Sequence, residues 1–300
     1  MSNAHTCWLL DGLRPIQLHE KQLPQILEIV GKGVYAGFRT FRGSEIYLWG
    51  AQALRLETGR IGVGLPDPLD LSLLGARVAE VLDRLQADHP GTDWKVRIDL
   101  AEGDLAQLDP RGAGQRLVLQ AWPLIEVDTQ LLASGASCAL ESRLSRIQPH
   151  LKGTPFSLER LRTTFPGGSN YESILVEADG TLLEGVMSGL AFIQGDTLRT
   201  SGSRVLPSIT IASLCGLAEE QGLRIVREAL RLDELEAIDE AFLASSVRNV
   251  IPVVRIGDQT IGTGSPGPRT LALLEAHDER MRTEARRPDR SGEPTARPSS

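Results

Sequence analysis

Lys152 and Glu184 frame the stretch of this chain with the most chemical content, KGTPFSLERLRTTFPGGSNYESILVEADGTLLE. A lysine amine forms an imine with a carbonyl carbon, and a carboxylate can protonate or hold a ring nitrogen. The lysine stands out because the chain has only four, Lys21, Lys32, Lys95 and Lys152, among 32 basic residues. Arginine occupies nearly every position where a generic positive charge would serve, and it does not form a Schiff base in this role. Taken alone, a mid-chain lysine is more often a solvated surface cation. Its neighbours decide between the two readings.

The elements around the pair follow from local pattern. Phe156 to Phe165 reads as a short helix with Leu158, Leu161 and Phe165 at helical spacing, stopped by the PGGSN run, Pro166 to Asn170. A hairpin follows in SILVEADGTLLEG, where Asp179-Gly180 supplies the positive φ of a two-residue turn. That turn places Glu184 at a strand end. An amine upstream and a strand-end carboxylate are the two protein groups that pyridoxal phosphate chemistry requires.

Composition bounds the alternatives. Three hundred residues, 41% hydrophobic and 24% charged, suit a globular chain able to bury a large core, in two lobes. No apolar run approaches twenty residues, and the N-terminal MSNAHTCWLLDG has neither a basic nor a signal-like apolar region, so the expectation is a cytoplasmic protein without a membrane segment. Cys7, Cys138 and Cys215 are odd in number and widely spaced, which suits small buried hydrophobes rather than a disulfide framework or a zinc site. A formal charge of −7 and a pI near 5.4 argue against a nucleic-acid partner and for a small-molecule substrate.

Along the chain, strands are expected at Trp8 to Leu10, within Gly31 to Gly43, at Trp94 to Leu100 and at Arg116 to Leu124. Gln22 to Val30 reads as a helical or mixed segment, and helices are expected at Trp49 to Thr58 with Leu54 and Leu56 on apolar positions, and at Leu69 to Ala87 with a stripe of Leu74, Val78, Val81, Leu82 and Leu85. Asp128 to Ser137 reads as a connection between lobes. Beyond Glu184 come a hairpin around Gly195-Asp196, a helix from Ile211 to Gln221, strands at Leu223 to Arg227, Ala241 to Ala244 and Val250 to Ile256, and a terminal helix from Arg269 to Arg282. Ser208, Ile209 and Thr210 therefore sit at a helix N-terminus, where backbone N–H groups and the dipole favour a phosphate; Ser208 or Thr210 as a plain cap reads equally well. Residues from Thr283 onward are polar, charged and proline-bearing, as in a disordered tail.

Several of these segments, in order, resemble the class IV, fold-type IV pyridoxal phosphate enzymes, which include branched-chain and D-amino-acid aminotransferases and aminodeoxychorismate lyase. The resemblance rests on Lys152, YESILVEADGTLLEG, GVMSGLAFI, RVLPSIT and DEAFLASSVRNVIPVVRIGDQTIGTGSPGPRT, together with GVYAGFRTFRG and LRLETGRIGVGLP. It implies an α/β (α+β), two-lobed fold-type IV architecture with a cofactor cleft between an N-terminal lobe, residues 1–127, and a C-terminal lobe, residues 128–282, before a tail at 283–300. It implies Lys152 as the catalytic residue and anchor of pyridoxal 5'-phosphate, Glu184 at the ring nitrogen, and Arg55, Ser208, Ile209, Thr210 and Ser246 at the cofactor phosphate. Tyr35 and Val247 would meet substrate. Departures from the family pattern stand at Ala36, Gln52, Phe156, Gly189 and Ile211, where polar groups typical of the family are absent.

The expected activity is transfer of an amino group between a small amino acid, of branched-chain or D-amino-acid type, and a 2-oxo acid. An elimination reaction of the aminodeoxychorismate lyase kind starts from the same two residues, and a degenerate member that binds without turnover is a third reading. The resemblance also implies a homodimer.

Overall fold

The computed structural model describes residues 5–12, 14–18, 22–165 and 170–288. Its helices are α1 (Leu23–Val30), α2 (Trp49–Gly62), α3 (Leu71–Asp88), α4 (Thr129–Ser134), α5 (Thr154–Arg162), α6 (Ile209–Glu220) and α7 (Pro268–Glu284). The early strands are β1 (Thr6–Leu9), β2 (Ile16–Leu18), β3 (Val34–Arg39), β4 (Trp94–Leu100) and β5 (Leu117–Pro123). The later ones are β6 (Ala136–Glu141), β7 (Asn170–Val176), β8 (Thr181–Gly185), β9 (Gly189–Gln194), β10 (Thr197–Thr200), β11 (Arg224–Val226), β12 (Leu230–Arg231), β13 (Glu240–Ser245), β14 (Asn249–Ile256) and β15 (Gln259–Thr260). This is the mixed α and β content expected from the sequence.

Two compact units form, and they interleave along the chain. The first takes the described residues up to Ile125, then Leu151–Arg162, then those from Met281; the second takes Glu126–His150 and Thr163–Arg280. The lysine segment thus belongs with the N-terminal strands, which no local pattern around Lys152 announces.

In the first unit the strands pair antiparallel in the order β2-β1-β5-β4-β3. Trp94, Val96, Ile98 and Leu100 of β4 share one core with Val34, Ala36 and Phe38 of β3 and with the predicted α3 stripe, Leu74, Val78, Val81, Leu82 and Leu85. Because side chains alternate along a strand, Tyr35, Arg97 and Asp99 lie on the other face, with Tyr35 opposite Asp99 and Gly37 opposite Arg97. Helix α2 runs to Gly62 and buries Gln52, Ala53, Leu56 and Gly59, while Leu54 is 49% exposed. Residues two apart cannot share a helix face, so Leu54 and Leu56 part company. Helix α5 also presents another side than its leucines suggest: Thr154, Phe156 and Ser157 are buried, Leu161 is exposed, and Phe165 lies beyond its end. Of the PGGSN run expected to stop it, residues 166–169 lie outside the described residues.

In the second unit the order is β11-β10-β9-β13-β14-β6-β7-β8-β12, with β15 beside β14; β6 runs parallel to both β7 and β14. Leu190 and Phe192 of β9 join Ala241 and Leu243 of β13 in one core, and Ala191, Ile193, Phe242 and Ala244 join α6 and Leu273 of α7 in another. The β7–β8 turn is a three-residue loop beyond Glu177 and Val176, residues 178–180, in which Gly180 alone takes a positive φ, 85°. Gly180 N–H donates to Glu177 O at 2.9 Å, and Asp179 Oδ1 accepts the Thr181 N–H at 3.0 Å. The glycine takes its expected role, in a loop one residue longer than the two-residue turn. All three cysteines are free and buried, and burial pushes the Cys138 thiol up to about 12. The chain stays packed past Thr283: Ala285 is fully buried and Arg286 exchanges backbone hydrogen bonds with Ile46. The rest of the expected tail, residues 289–300, lies outside the described residues.

His277, on α7, is 1% exposed, and its Nδ1 stands 2.7 Å from Asn249 Oδ1, so the neutral ring donates there. Burial lowers its pKa to about 4. The unfolded chain takes up this proton near pH 6.5 and the folded one near 4, so the stability this group contributes is present above about pH 6.5 and lost as pH falls towards 4, on the order of 3 kcal/mol. Urea unfolding at a series of pH values will show a shallower fall over that window in His277→Gln than in the native protein.

Candidate functional site

Lys152 is held by its backbone. Tyr35 N–H donates to Lys152 O at 2.9 Å, Thr154 N–H donates to Gly33 O at 2.9 Å, and Gly33 N–H donates to Thr154 Oγ1 at 2.8 Å. Val34 and Gly153 form a β-bridge between them. The strap lies tight: a Cβ on Gly33 would come 2.3 Å from Leu100 O, and one on Gly62 would come 2.6 Å from a Leu151 methyl. Both flanks of Lys152 pair with the start of β3, and its Nζ lies 5.1 Å from the centroid of the Tyr35 ring. Tyr35 is 6% exposed. Arg55 lies half-buried on α2, which packs close to β3 because a Cβ on Gly59 would come 2.9 Å from Val34 Cγ1.

The ring of Tyr35 is gripped from a second direction by residues outside the expected site. The Arg97 guanidinium lies 3.6 Å from the ring centroid. It donates Nε to Asp99 Oδ2 at 2.8 Å, Nη2 to Asp99 Oδ1 at 2.6 Å and Nη1 to Ser157 Oγ at 2.9 Å. Burial works against the Arg97 charge, and the fully buried Asp99 carboxylate more than offsets it, holding the guanidinium above its ordinary range. Charged residues at alternate positions of an otherwise apolar strand were the available signal.

The second unit carries the remaining expected residues. Glu184 is 4% exposed at the end of β8, and its Oε1 accepts Arg146 Nε at 2.6 Å and the Leu206 N–H at 3.3 Å. Ser208 is the N-cap of α6, its Oγ accepting the Ile211 N–H at 3.2 Å. The helix itself provides no acceptor for the N–H groups of Ile209 and Thr210. Thr210 Oγ1 and Ser246 Oγ are 3.1 Å apart, which brings two of the expected phosphate contacts to one place. Val247 follows in the same turn, half-buried. So Lys152, Tyr35 and Arg55 fall in the first unit, and Glu184, Ser208, Ile209, Thr210, Ser246 and Val247 in the second.

Two departures from the family pattern are one event in space. A Cβ on Gly189 would come 2.5 Å from Ile211 Cγ1, so the isoleucine fills room that the glycine vacates. Ala36 sits in the apolar core beside Val34 and Phe38, on the sheet face away from Tyr35. Gly189→Asn alone will lower stability by about 1–3 kcal/mol through overpacking, and adding Ile211→Ala will recover part of the loss. Denaturant unfolding of the native protein and the two variants checks this; an unchanged Gly189→Asn would contradict it.

Residues 33–256 match the family described as amino-transferase class IV. The D-alanine aminotransferase of Bacillus licheniformis is 27% identical over 250 residues, spanning 82% of this chain and 86% of the relative. Among solved structures, the Escherichia coli branched-chain amino acid aminotransferase superposes with a TM-score of 0.72 at 18% identity, over 94% of this chain and 96% of that one. A Thermotoga maritima protein described as a putative branched-chain amino acid aminotransferase gives 0.70 at 23% identity, over 92% and 95%. The fold is thus that of fold-type IV, and this chain belongs to the class IV aminotransferases, which are pyridoxal phosphate-dependent transaminases.

Proposed function

We propose that this aminotransferase acts on a small amino acid of the branched-chain or D-alanine type with a 2-oxo acid as acceptor. Lys152 is the residue that holds the cofactor and moves the proton. The observation that carries the reading is the two-sided backbone strap that fixes Lys152 against Tyr35. The donor set fits pyridoxal 5'-phosphate by its chemistry: a primary amine for the aldehyde, a buried carboxylate for the ring nitrogen, and a helix N-terminus with hydroxyls for the phosphate. Relatives named for D-alanine and branched-chain substrates support the substrate class.

When bound, the cofactor supplies an electron sink for the negative charge that develops at the substrate α-carbon. Lys152 Nζ, as a neutral amine, would take the proton from the donor's α-carbon and, in the other half of the reaction, would give a proton to the acceptor's α-carbon. Glu184 would hold the ring nitrogen, its carboxylate fixed in direction by Arg146. Arg55 matches phosphate oxygens with a planar fork, and Ser208, Ile209, Thr210 and Ser246 add N–H and hydroxyl donors. Tyr35 and Val247 border the substrate.

Purified protein loaded with cofactor will absorb in the visible, and Lys152→Ala will lose that band while keeping its fold. Adding a donor amino acid will convert the native protein to the pyridoxamine form. A native protein that stays colourless with cofactor would contradict the reading, and elimination without pyridoxamine formation would assign a lyase instead.

We propose further that the protein is a homodimer, the commonest closed assembly and the one the family resemblance implies. Light scattering of cofactor-loaded protein will return twice the chain mass; a single-chain mass in an active sample would contradict this.

A further inference from the structure

Arg248 reaches from the turn after β13 to two other segments of the second unit. Its Nη2 donates to Glu172 Oε2 and to Ser188 Oγ, each at 2.8 Å, and its Nη1 donates to Tyr171 OH at 3.1 Å. The guanidinium also lies 5.2 Å from the Tyr171 ring centroid. The Glu172 side chain is fully buried, and its second oxygen accepts the Met187 N–H at 2.8 Å. A Cβ at Gly185 would come 2.3 Å from that oxygen, so the carboxylate reaches its place only past a glycine. The next residue after Arg248, Asn249, takes a left-handed φ of 59° and is pinned through Oδ1 to His277. The turn that carries Ser246 and Val247 is therefore anchored at two consecutive residues, Arg248 and Asn249.

The geometry points to Arg248 and Glu172 as positioning residues for the cofactor phosphate: their ion pair sets the turn so that the Ser246 hydroxyl stands beside Thr210 at the start of α6. This rests on the assignment of Ser246 to the cofactor. A serine in an unanchored turn must be ordered at the moment of binding, and that ordering subtracts from affinity. Here the ordering is done in advance. The Arg248 charge is already matched by Glu172, so the guanidinium acts through the turn rather than on the ligand. The arginine fork serves a carboxylate, a serine and a tyrosine at once from one rigid plane, which an ammonium does only in part.

The test compares pyridoxal 5'-phosphate with pyridoxal, which lacks the phosphate, by titrating full-length apoprotein and following the absorbance of each ligand. Arg248→Gln and Glu172→Gln will each weaken pyridoxal 5'-phosphate by about tenfold and change pyridoxal by less than about twofold. Ser246→Ala will do the same, and combining it with Arg248→Gln will add little, because the arginine works through the serine. Arg248→Lys will recover part of the phosphate preference. Melting curves accompany each variant, since general damage weakens both ligands together. Equal loss for both ligands, no loss for either, or full additivity with Ser246→Ala would overturn the inference. A native protein that binds neither ligand would overturn the functional reading itself.

Discussion

The paired hydrogen bonds between Gly33 and Thr154, one between backbones and one to the threonine hydroxyl, set where Lys152 lies. They join residues 121 apart and place Lys152 beside β3 rather than within the run of chain that surrounds it. A lysine side chain has four rotatable bonds, so its amine gains a defined position only if its backbone is held and a surface lies along its stem. The strap provides the first and the Tyr35 ring the second. Gly33 is needed for this because any side chain there would meet the Leu100 backbone carbonyl.

Arginine pairs with three buried carboxylates around the expected site residues. Arg97 pairs with Asp99 under Tyr35, Arg146 with Glu184, and Arg248 with Glu172 beneath the Ser246 turn. In each pair the carboxylate is 5% exposed or less. Such pairs add little net stability, because desolvating both charges offsets their attraction, but removing one partner costs about 3–5 kcal/mol. They enforce geometry instead. A chain poor in lysine and rich in arginine suits that use, since a planar fork fixes a carboxylate in direction where an ammonium fixes only distance.

Much of the fold was legible because its elements declare themselves locally. The α3 stripe, β4 and the Ser208 cap of α6 follow from spacing and residue type within a dozen positions. Scarcity singles out Lys152 and a strand-end place in a hairpin singles out Glu184; the structure shows the first strapped to β3 and the second buried against Arg146. What escaped depends on register and long-range contact. Arg97 and Asp99 become a pair facing Tyr35 only once β3 and β4 are aligned, and Arg248 meets Glu172 across 76 residues. The stripe expected on α5 failed for a related reason: its leucines follow helical spacing, but the strap turns Thr154 and Ser157 inward instead. Gly189 and Ile211 looked like two separate losses until the structure put them in contact.

The central claim is that Lys152, and no other amine, holds the cofactor. Borohydride reduction of the cofactor-loaded protein, followed by peptide mass mapping, tests it directly. The account predicts a single modified peptide with the cofactor mass on Lys152. Modification at Lys32 or Lys95 instead, or none at any lysine, would contradict it.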